Sequence, residues 1–284
     1  MRVVSHACIP GVLMLAGLSA IFALQSPHAD GWRELAPGME LRVIEAQQAS
    51  VVGDSRITVV RFDPGHWRLV FLGLSNTGEE HALTARQWCE RHGLTAAINA
   101  GMFNSDHRTH TGYLCTKDHE NNTRLNTYQS VAAFDPRRAG LPPFRIFDLD
   151  DPGTSIKTIL QDYESVVQNL RLIKRPGKNR WSQQKKMWSE AALGEDESGR
   201  ILFIFSRSPF TMHDFNNILL SSDIGVVAAQ HLEGGPEAQL YLRADSVTLD
   251  LFGSYETDFY ESDGNKQPWP IPNVLGIRPA EKEN

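Results

Sequence analysis

The sequence predicts an α+β fold, a single domain built on a large mixed β-sheet with few helices. Three observations predict it. Short apolar or alternating runs bounded by Gly, Pro or Asp recur along the chain, whereas stretches with helical periodicity are few. Gly and Pro number 22 and 15, so turns are too frequent for a helical bundle. Hydrophobic residues make up 41% of 284, enough for one sizeable core, and no linker, low-complexity tract or repeat divides the chain after Trp32.

The elements follow in order. Ala7 to Leu24 is uncharged and apolar behind Arg2 and His6, the pattern of a secretory signal, so residues 1–29 read as a signal peptide or N-terminal anchor and 30–284 as the domain. Ala29 is the candidate cleavage residue, although Pro27 fits the small-x-small rule poorly. The run is also long enough to cross a thin bilayer uncleaved, which would be the chain's one link to a membrane. Met39–Ala46, Arg56–Phe62 and Trp67–Leu74 read as strands. Leu83–His92 reads as a short amphipathic helix closed by Gly93. Strand-like runs continue at Leu94–Ile98, Gly112–Thr116, Gln129–Phe134, Val166–Lys174, Met187–Leu193 and Ile201–Ser206. Met212–Leu220 reads as a second helix, opened by the capping-box variant Thr211-Met-His-Asp214. Strands at Val226–His231, Gln239–Leu242 and Asn273–Ile277 complete the set, and the polar stretch Lys174–Lys186 reads as an exposed loop.

Charge and cysteine content narrow the function. A net charge of −6, a pI near 5.9 and the lack of a long basic run exclude the electrostatic footprint of a nucleic-acid binder. Export to the periplasm or the extracellular space is expected from the N-terminal run. Outside that run only Cys89 and Cys115 remain, and in an oxidising compartment they can pair. The bridge would close a loop of roughly 25 residues and contribute about 3 kcal/mol. The other reading is two buried free thiols.

Two strands end in the same unusual way. Leu94 to Phe103 runs apolar into Asn99-Ala-Gly101-Met-Phe103, and Val226 to Pro236 runs apolar into His231-Leu-Glu233-Gly234-Gly235. A polar side chain beside glycines at a strand end exposes backbone N–H groups to which an anion can come close. The loop after the first motif holds Asn104, Asp106, His107, Arg108 and His110, which read either as a solvated loop or as a patch from which His107, Arg108 or Arg124 reaches a phosphate. No spacing there matches a known metal-ligand pattern, so the metal ligands, if any, stay unknown and no cofactor is required. An oxygen-ligated Ca²⁺ could still be built from carboxylates and carbonyls. His213 falls in the first turn of the second helix, where an anion is favoured. Glu190 is an acid inside an apolar strand. The Gly-x-Ser-x-Gly, Walker A, GxGxxG and HExxH motifs are absent, which lowers serine-hydrolase, nucleotide-dependent and zincin readings.

Asn99-Ala-Gly-Met-Phe103 resembles the N-x-G-x-F element of the phosphodiester glycosidase family, which includes the mammalian uncovering enzyme. His231-Leu-Glu-Gly-Gly235 resembles that family's L-D-G-G element, and the intervening order matches through Gly112-Tyr-Leu, the Glu190 to Gly194 strand and Arg207-Ser-Pro. The resemblance spans Leu69 to the C-terminus. It implies hydrolysis of a sugar-1-phosphodiester in envelope or extracellular glycans, releasing sugar and a phosphomonoester. Two positions depart from the pattern: Glu233 stands where the family usually has Asp, and Glu190 and Ala191 where many relatives carry Arg and a hydroxyl residue.

A phosphate leaving group is already a weak base, so the main demands are stabilising oxocarbenium charge and orienting water. On this reading Glu233 lies near the anomeric carbon as base or electrostatic stabiliser, with Asp106 as the second acid. Asn99, Gly101, Gly234 and Gly235 hold phosphate or sugar oxygens, Phe103 and Glu190 line the substrate, and His107 and His213 support as cations or donors. Two alternatives are a catalytically weak glycan-binding envelope protein and a metal-dependent phosphodiesterase cutting the other P–O bond.

Overall fold

Strand pairing in the computed structural model, which describes residues 31–280, divides the chain between two sheets that share one core. The N-terminal segment read as signal peptide or anchor lies outside the described residues. The chain enters through a hairpin of β1 (Arg33–Ala36) and β2 (Met39–Glu45), turned at Gly38 with φ +71°. Next come β3 (Arg56–Phe62) and β4 (Trp67–Gly73). Helix α1 (Ala85–His92) starts where Thr84 and Gln87 cap each other and stops at Gly93, whose φ of +64° favours glycine. The first site motif ends β5 (Ala96–Asn99).

Four short strands follow: β6 (Leu114–Thr116), β7 (His119–Asn122), β8 (Ser130–Pro136) and β9 (Phe144–Asp148). Helix α2 (Ile156–Asp162), capped by Ser155, runs straight into β10 (Tyr163–Lys174), and β11 (Lys178–Asn179) folds back on it. Strands β12 (Trp188–Asp196) and β13 (Ile201–Phe210) precede α3 (Met212–Leu220), which Thr211 caps. Then β14 (Val226–Gly234) passes through one 3-10 turn, Gly235–Glu237, into β15 (Gln239–Ala244), β16 (Val247–Phe252) and β17 (Asn273–Pro279).

The larger sheet has twelve strands, in the order β1-β2-β3-β13-β12-β14-β10-β6-β7, with β8, β9 and β11 joined through β10. The smaller has five, ordered β16-β15-β5-β17-β4. All pairings among the described residues are antiparallel. Val60, Leu193 and Phe203 of the larger sheet meet Ile98, Leu240 and Leu275 of the smaller in one buried cluster. Helix α3 covers the far face of the larger sheet, and α1 that of the smaller.

The chain changes sheets at the turn after β14, so the double glycine sits on the seam between them. The cysteines correct one expectation. Cys89 lies on the buried face of α1 in one cluster with Trp88, Cys115 packs in a separate cluster with Val131 and Tyr163, and both are free thiols. Burial raises the pKa of each.

Candidate active site

Alternation along β14 sends His231 and Glu233 to the same face of the larger sheet. Strand β12 runs antiparallel beside it and places Glu190 opposite Gly234 and Ala192 opposite His231, across a bulge at Ala191 and Ala192. The Glu190 carboxylate therefore reaches the His231 ring, with Oε1 and Oε2 at 2.8 and 2.9 Å from Nδ1. Trp188, two residues before Glu190 and on the same face, donates from Nε1 to Glu190 Oε2 at 2.6 Å. Its ring meets the His231 ring edge-on, 5.9 Å between centroids. Gly234 makes room for this indole, since a Cβ there would lie 2.7 Å from Trp188 Cδ1.

Three further carboxyls gather at the turn. Glu233 is buried, and its Oε1 accepts only the neighbouring Gly234 N–H, at 3.1 Å. Burial pushes its pKa up to about 8, against the pull of His231 and with the push of Glu237 and Glu256. Burial also raises Glu237 and Glu256, each against weaker opposing charges. Glu256 reaches over Gly235, where φ is +61° and a Cβ would lie 2.5 Å from Glu256 Oε2. For His231, burial disfavours the charged ring, but the Glu190 carboxylate outweighs it and holds the proton on the imidazole. The result is one buried cation with its counter-ion, beside Glu233, which keeps its proton to about pH 8, and two further carboxyls shifted in the same direction. Such a set can offer a proton and a positive charge to an anionic ligand at once.

The residues singled out in the sequence divide into two groups. Glu190, Glu233, Gly234 and Gly235 come together at the seam. His107 joins them from the first loop: φ is +51°, its ring lies 5.3 Å from Phe103, and its charge acts on Glu237. Asn99 serves the seam from within. Its Nδ2 donates to the Glu237 carbonyl at 2.9 Å, and its Oδ1 accepts the Gln239 N–H at 2.7 Å. Gly101, with φ +148°, is required by close packing, because a Cβ would fall 2.2 Å from His110 Nε2 and 2.3 Å from Asn169 Oδ1.

The second group is engaged elsewhere. Asp106 is exposed and uses both carboxylate oxygens on its own turn, accepting from the N–H groups of Arg108 and Thr109 and from the Thr109 hydroxyl. Those bonds lower its pKa, opposite to what a proton-donating second acid needs. His213 bonds the Trp181 carbonyl at 2.7 Å and Asn217 at 3.0 Å, pinning the loop after β11 to α3.

Four members of the cluster carried no assigned role in the sequence: His231, Trp188, Glu237 and Glu256. His231 and Trp188 had a usable signal, since a strand period of two puts each beside a predicted acid. Glu256 had none, because it arrives from a loop after β16 that follows no pattern. Among the described residues no three His, Cys, Asp or Glu side chains are arranged to hold a metal ion.

The family model for phosphodiester glycosidases matches residues 92–278. Among solved structures, the chain is similar to the catalytic domain of zebrafish N-acetylglucosamine-1-phosphodiester alpha-N-acetylglucosaminidase, described as auto-inhibited by its pro-peptide. Identity is 14%, the TM-score 0.61, and the match covers 89% of this chain and 85% of that one. A Synechocystis protein described only as hypothetical gives 13% identity and a TM-score of 0.54, over 85% of this chain and 62% of that one. No curated protein matches. At these identities the two structures establish a common fold.

Proposed function

We propose, for a chain that belongs to the phosphodiester glycosidase family, that it hydrolyses a sugar-1-phosphodiester and releases the sugar and a phosphomonoester. The observation that carries this is the buried pair of His231 and Glu190 beside Glu233 at the seam turn, inside the family-matched region. The bond that breaks joins the anomeric carbon to a phosphate oxygen. Its electron pair passes to the phosphate, while a water oxygen bonds the anomeric carbon and gives up a proton. Glu233, protonated up to about pH 8 in the free protein, hydrogen-bonds or protonates the departing oxygen. Charged His231 offsets the phosphate's negative charge. Glu256, whose charge acts on His231, Glu233 and Glu237 alike, receives the proton from water.

The acid at 190 also finds its place here. Where many relatives carry Arg, this chain supplies the cation from the facing strand as His231, with Glu190 as its anchor. The apolar run from Ala7 to Leu24 supports placing the activity outside the cytoplasm, on envelope or extracellular glycans. Product analysis with a panel of sugar-1-phosphodiesters tests the reading, using the protein and its Glu233→Gln variant. Free sugar plus phosphomonoester from the former alone is the expected result. Sugar phosphate as product would instead indicate P–O cleavage, and saturable binding without product would indicate a glycan-binding protein.

A further inference from the structure

Strand β4 ends in a turn that holds a serine hydroxyl against an imidazole. The Asn76 N–H and the Thr77 hydroxyl donate to the Gly73 carbonyl at 3.1 and 2.8 Å, and Asn76 Oδ1 accepts the Gly73 N–H at 2.8 Å. Ser75, at the tip of this closed turn, is half-buried. Its Oγ lies 2.8 Å from Nε2 of His119, the first residue of β7. The His119 ring stacks on that of Phe71 with 5° between their planes, which fixes its orientation.

The neighbours set the direction of the shared proton. Asn121 Oδ1 accepts the His110 N–H at 2.7 Å, so its amide nitrogen is the end that donates to Ser75 Oγ, at 2.8 Å. The hydroxyl thus already accepts one bond, and His119 Nε2 is the acceptor within reach of its own proton. Burial and then the charge of Arg108 push the His119 pKa down, against a weaker pull from Glu120, so the ring is neutral and Nε2 keeps its lone pair.

Positive charge stands beside the serine as well. Arg108 donates to the Leu74 carbonyl at 2.8 Å and forms no ion pair with a carboxylate among the described residues. The Ser75 N–H has no acceptor among them either. The turn that sends His107 to the seam therefore sends Arg108 to Ser75, and the two places have no residue in common.

We propose that Ser75 and His119 form a second reactive site, a serine nucleophile with its base, which cleaves small acyl esters. The pair is defined by geometry, since Gly73-Leu-Ser75-Asn-Thr77 does not complete a Gly-x-Ser-x-Gly motif. Ser75 Oγ bonds the ester carbonyl carbon as its proton passes to His119 Nε2. The carbonyl oxygen gathers negative charge beside Arg108 and the Ser75 N–H. The bond to the alcohol oxygen then breaks, and that oxygen takes the proton from His119. Water, giving a proton to His119, splits the acyl-serine into a carboxylic acid and the free hydroxyl.

Labelling with a fluorophosphonate, followed by peptide mass spectrometry, tests the proposal. Ser75 Oγ is expected to bond the phosphorus as fluoride leaves, giving one adduct that maps to Ser75. His119→Gln, which keeps a polar partner for the hydroxyl, should slow labelling about 100-fold or more. The labelled protein should lose hydrolysis of p-nitrophenyl acetate. A serine that only bridges the two loops would give no adduct. No adduct, an adduct on another residue, or labelling of His119→Gln at the unaltered rate overturns the proposal. Ester hydrolysis that is absent, or that survives complete labelling, overturns it too. None of these readouts depends on the seam carboxyls or on phosphodiester turnover.

Discussion

Glu233 has burial and two neighbouring acids favouring its protonated form, with the cation at His231 opposing, and the balance sets its pKa near 8. In the unfolded chain it would ionise near 4.5, so between these values the folded protein holds a proton that the unfolded one has lost. Stability attributable to this group is therefore complete below about pH 4.5 and declines as pH rises toward 8. Melting temperatures from pH 5 to 9 should fall more steeply for the unaltered protein than for Glu233→Gln. Parallel curves would remove burial as the cause. If Glu233 serves the departing phosphate as proposed, kcat/KM should decline above about pH 8, and Glu233→Gln should lower it at least about 100-fold. Glu190 makes a different prediction. Glu190→Ala leaves His231 buried without its counter-ion and should cost about 3–5 kcal/mol in urea unfolding, since removing one partner strands the other.

The ends of β5 and β14 explain why their glycines belong where they are. A methyl at Gly101 would overlap His110 and Asn169 in a backbone conformation that other residues rarely adopt. Gly101→Ala should lose about 1–3 kcal/mol of stability, measurable by chemical denaturation, and unchanged stability would show that the loop adjusts. Local pattern made some elements fully legible. Arg56–Phe62 and Met212–Leu220 fall on the observed bounds because alternation and a Thr211 cap fix them locally. Other elements have no pattern of their own. Strand β7, His-Glu-Asn-Asn, is extended only because β6 supplies its partner. Helix α2 is two turns long and merges into β10 without a breaker. The same division governs the site. Glu233 and Glu190 were visible as acids in apolar strands, whereas Glu256 depends on the tertiary path of a loop, and the exposed Asp106 resembled a second acid until its turn was seen.

Across the whole molecule, two sheets share one core while each helix seals an outer face, and this separates the cysteines into different apolar clusters. A protein beginning at residue 30 should react with no thiol reagent while folded and reveal two thiols on denaturation. Reductant should leave its melting temperature unchanged, whereas a drop would mean that the cysteines pair. Strand order carries one more consequence. In the smaller sheet β17 lies between β5 and β4, and Val274 is the register partner of Asn99, the residue that clamps the seam. Residues 273–279 are translated after every other described element, so β4 and β5 wait throughout synthesis for the strand that joins them. Chains released from the ribosome before residue 273 would lack the brace behind the gathered carboxyls. Among the described elements the brace is thus the last to be made, and the turn that gathers the carboxyls waits for a strand with no part in the cluster itself.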